Sequence, residues 1–234
     1  EADRFAIMAM DLASGKTREV APDWDRSAGP LKLSSDGRTL YTAADELGQH
    51  PLFAIDIASG ASTLVAGNGS VGEFDLADGT LAFTRDTLTS PAQLFVRQPA
   101  GGADRQVSVN NAESLAKLAM GEAEQFHFTG AKGEKVYGYV VKPANYQQGK
   151  TYPVAFLIHG GPQGSFGNHF HYRWNPQTYA GQGFAVVMID FHGSTGYGQA
   201  FTDSISGDWG GAPLEDLQKG WAAALDKYSF LDGE

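Results

Sequence analysis

Short runs of alternating apolar and polar residues recur through roughly the first hundred positions of the chain. The clearest are Ile7-Met8-Ala9-Met10-Asp11-Leu12-Ala13-Ser14-Gly15 and Leu52-Phe53-Ala54-Ile55-Asp56-Ile57-Ala58-Ser59-Gly60, with a weaker copy at Leu94-Phe95-Val96-Arg97-Gln98-Pro99-Ala100-Gly101-Gly102. Each reads as a strand, a turn and a second strand that ends at Val20, Val65 or Val107. From Asp11 to Asp56 is 45 residues, and from Asp56 to Gln98 is 42. A second signature, Ser35-Asp36-Gly37-Arg38-Thr39-Leu40-Tyr41 and Ala77-Asp78-Gly79-Thr80-Leu81-Ala82-Phe83, recurs out of phase at a spacing of 42. Asp-Gly between alternating runs is a strong hairpin signal, because the turn needs positive φ at its central residues. Two interleaved hairpins per period give four strands per repeat, and four strands in roughly 40–45 residues is the size of a propeller blade. Residues 1–107 therefore read as a partial β-propeller of about two and a half blades. Blades bury their faces against neighbours, so such a set is not a closed domain by itself. The competing reading is a short β-sandwich with coincidental repeats.

The pattern changes after residue 107. Residues 108–123 read as a linker with short helical or turn character, and 124–234 as the N-terminal part of an α/β-hydrolase domain. Strands are expected around Glu124–Phe128 and at Lys135–Lys142, the latter ending at Pro143. Next come the apolar run 153–158, which suits a central strand, a helix over 174–182 and a second apolar strand over 184–190. A helix over 213–228 places Leu214, Leu217, Trp221, Leu225 and Tyr228 on one face. Phe230–Glu234 reads as an exit turn leading toward another strand. The fold class is thus all-β propeller blades followed by an incomplete α/β-hydrolase domain.

Composition narrows the function classes. Seventeen basic against 27 acidic residues give a net charge of −10, which argues against nucleic acid as a partner. No apolar run approaches the roughly 18 residues that a membrane span requires. The chain has no cysteine, which removes disulfides, a thiol nucleophile and cysteine-ligated zinc together. Residues 1–10, EADRFAIMAM, carry two acids and do not form the basic n-region of a secretory signal.

The candidate chemistry starts at His159-Gly160-Gly161-Pro162, directly after an apolar strand. HGG in that place matches the segment that supplies an oxyanion-hole N–H in α/β-hydrolases. An oxyanion hole needs unobstructed backbone N–H groups, and glycine permits close approach. The Gly161 N–H, with Gly160 beside it, is the expected donor; the plainer reading is a strand-end turn that needs glycine. His159 reads as a site-lining or structural residue. The loop His192-Gly193-Ser194-Thr195-Gly196-Tyr197-Gly198 has the wrong glycine order for a dinucleotide fingerprint and reads as a wall of the active-site mouth, with His192 and Tyr197 facing substrate. Asp190 reads as a turn-forming aspartate. His169 and His171 lack further ligands at metal spacing, so neither a metal nor any other cofactor is expected. Asp208-Trp209-Gly210-Gly211 reads as the anchor of the last helix, with Pro213 in its first turn. No serine has glycines two positions away on both sides, so the G-x-S-x-G nucleophile elbow is missing from the 234 residues.

Blade-like repeats, LIHGGPQGSF, RWNPQ (173–177), VVMID, GSTGYG and GDWGG together resemble the prolyl oligopeptidase family of serine peptidases. Within it they look most like the dipeptidyl peptidase V branch, near the acylaminoacyl peptidases. One departure is His192, where relatives usually carry arginine, which puts any role credited to that arginine in question. The resemblance implies a Ser-His-Asp exopeptidase that releases N-terminal dipeptides from oligopeptides under a propeller cap. It also implies that the serine, acid and histidine lie in the remaining part of the same polypeptide, so that these 234 residues alone are inert. The alternatives are an acylaminoacyl peptidase or esterase of the same fold, or a non-catalytic propeller binding module with a degenerate hydrolase domain. A free substrate amino terminus calls for an unpaired carboxylate in the cap, with Glu73 and Glu122 as examples. Export to the periplasm or the exterior, and a possible homodimer, are family-level expectations.

Overall fold

The computed structural model describes residues 2–98 and 101–234. Pro99 and Ala100 of the third repeat lie outside them. The chain opens with a hairpin of β1 (Met8–Met10) and β2 (Thr17–Glu19). A four-stranded antiparallel meander follows, made of β3 (Lys32–Leu33), β4 (Thr39–Ala43), β5 (Leu52–Asp56) and β6 (Ser62–Ala66). A second meander has the same order: β7 (Ser70–Ala77), β8 (Thr80–Thr87), β9 (Ser90–Arg97) and β10 (Arg105–Gln106).

The repeat has a chemical cause that is visible at its turns. Asp11 Oδ1 accepts from the Ser14 N–H and hydroxyl, both at 2.7 Å. Asp56 Oδ1 repeats this with Ser59 at 2.7 and 2.6 Å. These are Asx-type turns closed by glycine at φ +70° and +76°. The three β units stack face to face. Ile7, Val20 and Trp24 of the hairpin region pack on Phe53 and Ile55. Tyr41, Leu52 and Val65 of the first meander meet Val71, Phe74, Leu81 and Phe83 of the second.

After the short α1 (Ala112–Leu115), one mixed sheet organises the rest. Its members are β11 (Ala123–Thr129), β12 (Lys135–Val141), β13 (Val154–Leu157) and β14 (Ala185–Asp190), in the order β11-β12-β14-β13. The pairs β11–β12 and β12–β14 are antiparallel, while β14–β13 is parallel. Every residue of β14 is buried. Phe126, Val140, Val187 and Ile189 lie in the core on one face of the sheet, and Tyr139, Val186 and Met188 in the core on the other. Among the described residues β13 stands at one side of this sheet. It has β14 on one side, and among the described residues its other side is paired only beside its start. There Tyr152 donates to the Phe230 carbonyl at 2.8 Å and accepts from the Asp232 N–H at 2.9 Å. Phe230–Asp232 thus turns parallel to the Tyr152 segment, as the exit-turn reading expects.

The helices are α2 (Pro176–Ala180), α3 (Gln199–Asp203) and α4 (Ala212–Lys227). α3 has no counterpart in the sequence expectation. On α4 the leucine stripe is only partly right, because Leu214 is 53% exposed. The helix face in deepest contact is Pro213, Asp216, Gly220 and Ala224, flanked by Leu217, Trp221 and Leu225. A Cβ at Gly220 would stand 2.8 Å from both Ile189 Cδ1 and Phe128 Cζ, so the missing side chain sets how closely α4 approaches the sheet. The Asp208-Trp209-Gly210-Gly211 segment gives α4 no side-chain cap. Asp216 anchors the helix instead. Its Oδ1 accepts from the Ala131 N–H at 2.7 Å, and its Oδ2 from the His192 N–H at 2.7 Å.

Candidate active site

The parallel pair β13–β14 sends two loops off the same sheet end, His159–Pro162 and His192–Gly198. The first turns at Gly161, whose φ of +132° excludes ordinary side chains. A Cβ there would also lie 2.6 Å from the Gln163 nitrogen, whereas one at Gly160 would meet nothing within 4 Å. Both glycines are exposed, and among the described residues neither N–H donates a hydrogen bond. His159 and Gly160 open onto a cleft of about 580 Å³ whose other walls include Leu88, Ile158, Phe166 and Trp174.

His159 lies flat on Phe191, with ring centres 4.3 Å apart. Its Nδ1 is 2.9 Å from the Gly160 carbonyl and its Nε2 is 2.9 Å from Ser194 Oγ. Asp190 Oδ1 stands 3.8 Å from that same Nε2. Serine, histidine and aspartate are therefore neighbours here, yet they are not a catalytic triad. Ser194 is wholly buried, and the aspartate approaches the nitrogen facing the serine rather than the opposite one.

Asp190 is a buried hub and not a turn former. Its carboxylate accepts from Ser165 Oγ at 2.5 Å, Tyr197 Oη at 2.7 Å and the Phe166 N–H at 3.3 Å. Burial pushes this carboxyl above the usual range, against the lowering effect of those bonds and of His159. Tyr197, expected to face substrate, spends its hydroxyl on Asp190 and lies on Tyr137 at 5.6 Å. Burial is also the main reason its phenol is held well above the ordinary value.

His192, the other expected pocket residue, is wholly enclosed and is not part of the wall of this cleft. It stacks on Phe201 at 4.3 Å and places Nδ1 2.5 Å from Asp216 Oδ2. A short, fully buried bond to a helix carboxylate explains the position: His192 ties the end of β14 to α4.

The 192–198 loop is itself gripped by the β4–β5 turn. Leu47 N–H donates to the Gly196 carbonyl at 3.0 Å, and Thr195 Oγ1 donates to Asp45 Oδ2 at 2.6 Å. The Gly48 carbonyl accepts from Tyr139 Oη at 3.1 Å and from the Asn168 N–H at 2.8 Å. A Cβ at Gly196 would lie 3.0 Å from the Asp45 backbone, so this glycine admits the turn. Asp45, Gln163 and Gly196 border a second cleft of about 340 Å³. Its acids are partly engaged already. Asp45 bonds His50 Nδ1 at 2.7 Å, and its carboxyl sits below the usual range because the bonds to His50 and Thr195 outweigh burial. Glu122 pairs with Lys142, and neither it nor Glu73 borders either cleft.

His169 and His171, weighed above as metal ligands, have separate tasks. His171 Nδ1 accepts from the Arg173 and Trp174 N–H groups. His169 Nδ1 is 2.8 Å from Asp86 Oδ1, across the contact between the second meander and the mixed sheet. That hydrogen bond raises the imidazole pKa above 6.5, with further raising from the charges of Asp86 and Asp45 and partial opposition from burial. A raised folded-state value means the pair stabilises the protein below about pH 6.5 and that this contribution fades as pH climbs through the folded value. The stability difference between the parent and His169→Gln, read by urea unfolding, is expected to shrink between about pH 6 and about pH 9. A difference that stays constant over that range would contradict the assignment.

Residues 170–234 match the prolyl oligopeptidase family. The chain is 38% identical over 240 aligned residues to proteins named dipeptidyl-peptidase 5 from Arthroderma otae and Trichophyton equinum, an alignment that covers 99% of this chain and 33% of each relative. It thus spans about a third of the length of the curated relatives it matches. Among solved structures it is similar to an acylaminoacyl peptidase in complex with Z-Gly-Gly-Phe-chloromethyl ketone, at 27% identity and a TM-score of 0.81. That match covers 93% of this chain and 34% of the other. The acylaminoacyl peptidase of Pyrococcus horikoshii in an orthorhombic crystal form gives the same TM-score and coverage at 26% identity. Porphyromonas gingivalis dipeptidyl peptidase 4, at 18% identity and a TM-score of 0.73, shares the fold, with 97% of this chain and 33% of that one covered.

Proposed function

We propose that the chain belongs to the prolyl oligopeptidase family, whose pattern residues 170–234 match, and that the whole protein is a serine peptidase that releases dipeptides from the N-terminus of oligopeptides. The observation that carries this reading is the unengaged, exposed Gly161 N–H, one residue beyond the Gly160 that lines a cleft and just after a strand of a mixed sheet. A backbone donor held in that way meets the need of an acyl oxygen that gains negative charge during attack. In this reading the attacking serine, its histidine and the acid come from the remaining part of the polypeptide, and Gly161, with Gly160 beside it, supplies part of the oxyanion hole.

The same proposal covers the architecture. The hairpin and the two meanders, residues 1–107, are successive blades of a propeller that caps the site. Residues 108–123 join them to residues 124–234, the opening part of an α/β-hydrolase domain. The substrate is an oligopeptide in extended form, no cofactor or nucleic acid takes part, and the enzyme acts in the periplasm or outside the cell. No helix among the described residues is long and apolar enough to cross a membrane. A homodimer is compatible with this arrangement.

An acylaminoacyl peptidase is the second reading, supported by the structural likeness at a TM-score of 0.81. Turnover of an unblocked dipeptide-linked chromogenic substrate by the full-length protein should exceed that of the acetylated amino-acid counterpart. The reverse preference would favour the second reading. A fluorophosphonate probe should label the full-length protein, and no label at all would instead favour a binding module built on a degenerate hydrolase.

A further inference from the structure

His159 lines the cleft, and its bonding fixes where its proton sits. The partner of Nδ1 is the Gly160 carbonyl oxygen at 2.9 Å. A carbonyl only accepts, so Nδ1 carries the hydrogen. In the neutral ring Nε2 is then an acceptor, and Ser194 Oγ, 2.9 Å away and without another side-chain partner, donates to it. The ring cannot swing freely, because Phe191 lies flat against it and Phe166 meets its edge, with centres 5.9 Å apart.

The gripped oxygen belongs to the peptide unit that ends in the Gly161 N–H. That unit is planar and trans, so its N–H points opposite to its C=O. Drawing the carbonyl toward the imidazole turns the amide hydrogen away from the ring, and Gly161 is exposed with that hydrogen unengaged among the described residues. We infer that His159 is a positioning residue: with Nε2 taken up by the buried Ser194 hydroxyl, it donates from Nδ1 to the Gly160 carbonyl and so aims the Gly161 N–H at the acyl oxygen. The inference rests on the peptidase reading for its consequence and on geometry alone for its chemistry. It also accounts for Ser194, a wholly buried hydroxyl that the proposed reaction does not otherwise use.

Two measurements on the full-length protein test it. In nitrogen-15 NMR, the neutral His159 ring should show protonated Nδ1 and unprotonated Nε2, the less common tautomer of free histidine. Ser194→Ala should raise the share of the other tautomer. In kinetics, His159→Ala should lower kcat by roughly ten- to a hundredfold with little change in KM, since the lost aim matters only as charge develops. His159→Asn, whose amide nitrogen can stand near the Nδ1 position, should keep kcat within about threefold of the parent by the same reasoning. An Nε2-protonated ring in the parent overturns the inference. So does an Asn variant as slow as the Ala variant when both unfold like the parent, because packing on Phe191 would then be all that matters. If the parent itself neither turns over substrate nor takes the probe, the peptidase reading fails while the NMR result still decides the tautomer and the grip.

Discussion

Replacing Asp216 with alanine is expected to destabilise the protein by about 3–5 kcal/mol, the range for removing one partner of a buried hydrogen-bonded charge. The side chain is wholly buried and accepts three bonds: the Ala131 N–H, the His192 N–H and His192 Nδ1. These join three elements that are distant in sequence: the turn after β11, the end of β14 and helix α4. Alanine leaves two buried main-chain donors and an imidazole nitrogen without partners, and each such group costs roughly 1–3 kcal/mol. Water is poorly placed to substitute, since His192 is fully enclosed and Gly130 lies so close that a Cβ there would stand 2.3 Å from Asp216 Oδ1. Asparagine should fall between, because one of its two positions now presents N–H groups to donors. The neighbouring Glu215→Ala serves as the control. Its carboxylate is half exposed and, among the described residues, pairs only with Lys219 one turn along, a contact worth about 0.3–0.5 kcal/mol. Urea unfolding at constant slope reads all three variants, and an Asp216→Ala loss below about 1 kcal/mol would remove Asp216 from its place as the joint of the fold.

The contrast between Asp216 and the hairpin turns shows what a single sequence makes legible. Asp11, Asp56, Asp78-Gly79 and the glycines after them settle their geometry within four or five residues, so the repeat and its four strands could be read directly. The HGG turn after an apolar run is equally local. Asp190, His192, Ser194 and Asp216 find their partners elsewhere. Asp190 accepts from Ser165, 25 positions away, Asp216 holds His192 across 24, and Thr195 reaches Asp45 across 150. No local period encodes such pairs, which is why Asp190 looked like a turn residue and His192 like a pocket wall. One signal was available: Asp216 is a charge on the stripe that also carries Pro213, Gly220 and Ala224. A lone acid among small and apolar residues facing a sheet implies buried donors opposite it.

The two glycines of the HGG turn separate fold from chemistry, and alanine at Gly160 should lower turnover on the order of a hundredfold while leaving stability nearly unchanged. Gly161 cannot make that separation. Its φ is +132° and any Cβ would press on the Gln163 backbone at 2.6 and 2.8 Å, so Gly161→Ala damages the turn whatever the turn is for. Gly160 has no positive φ, and a Cβ there meets nothing within 4 Å. The fold therefore tolerates a methyl group at this position, and Gly→Ala where the backbone permits it changes stability by only about 0.4–1 kcal/mol, in the favourable direction. A glycine that the fold does not require is informative because something else must need the space. In the peptidase reading that space admits the carbonyl that approaches the Gly161 N–H, and a methyl group beside it keeps the acyl oxygen from closing to hydrogen-bond distance in the transition state. The loss should fall mainly on kcat, with thermal unfolding of the full-length variant matching the parent. If Gly160→Ala retains turnover within about threefold, the open space has no part in catalysis, and the HGG sequence is then a tight turn with glycine required at one position only.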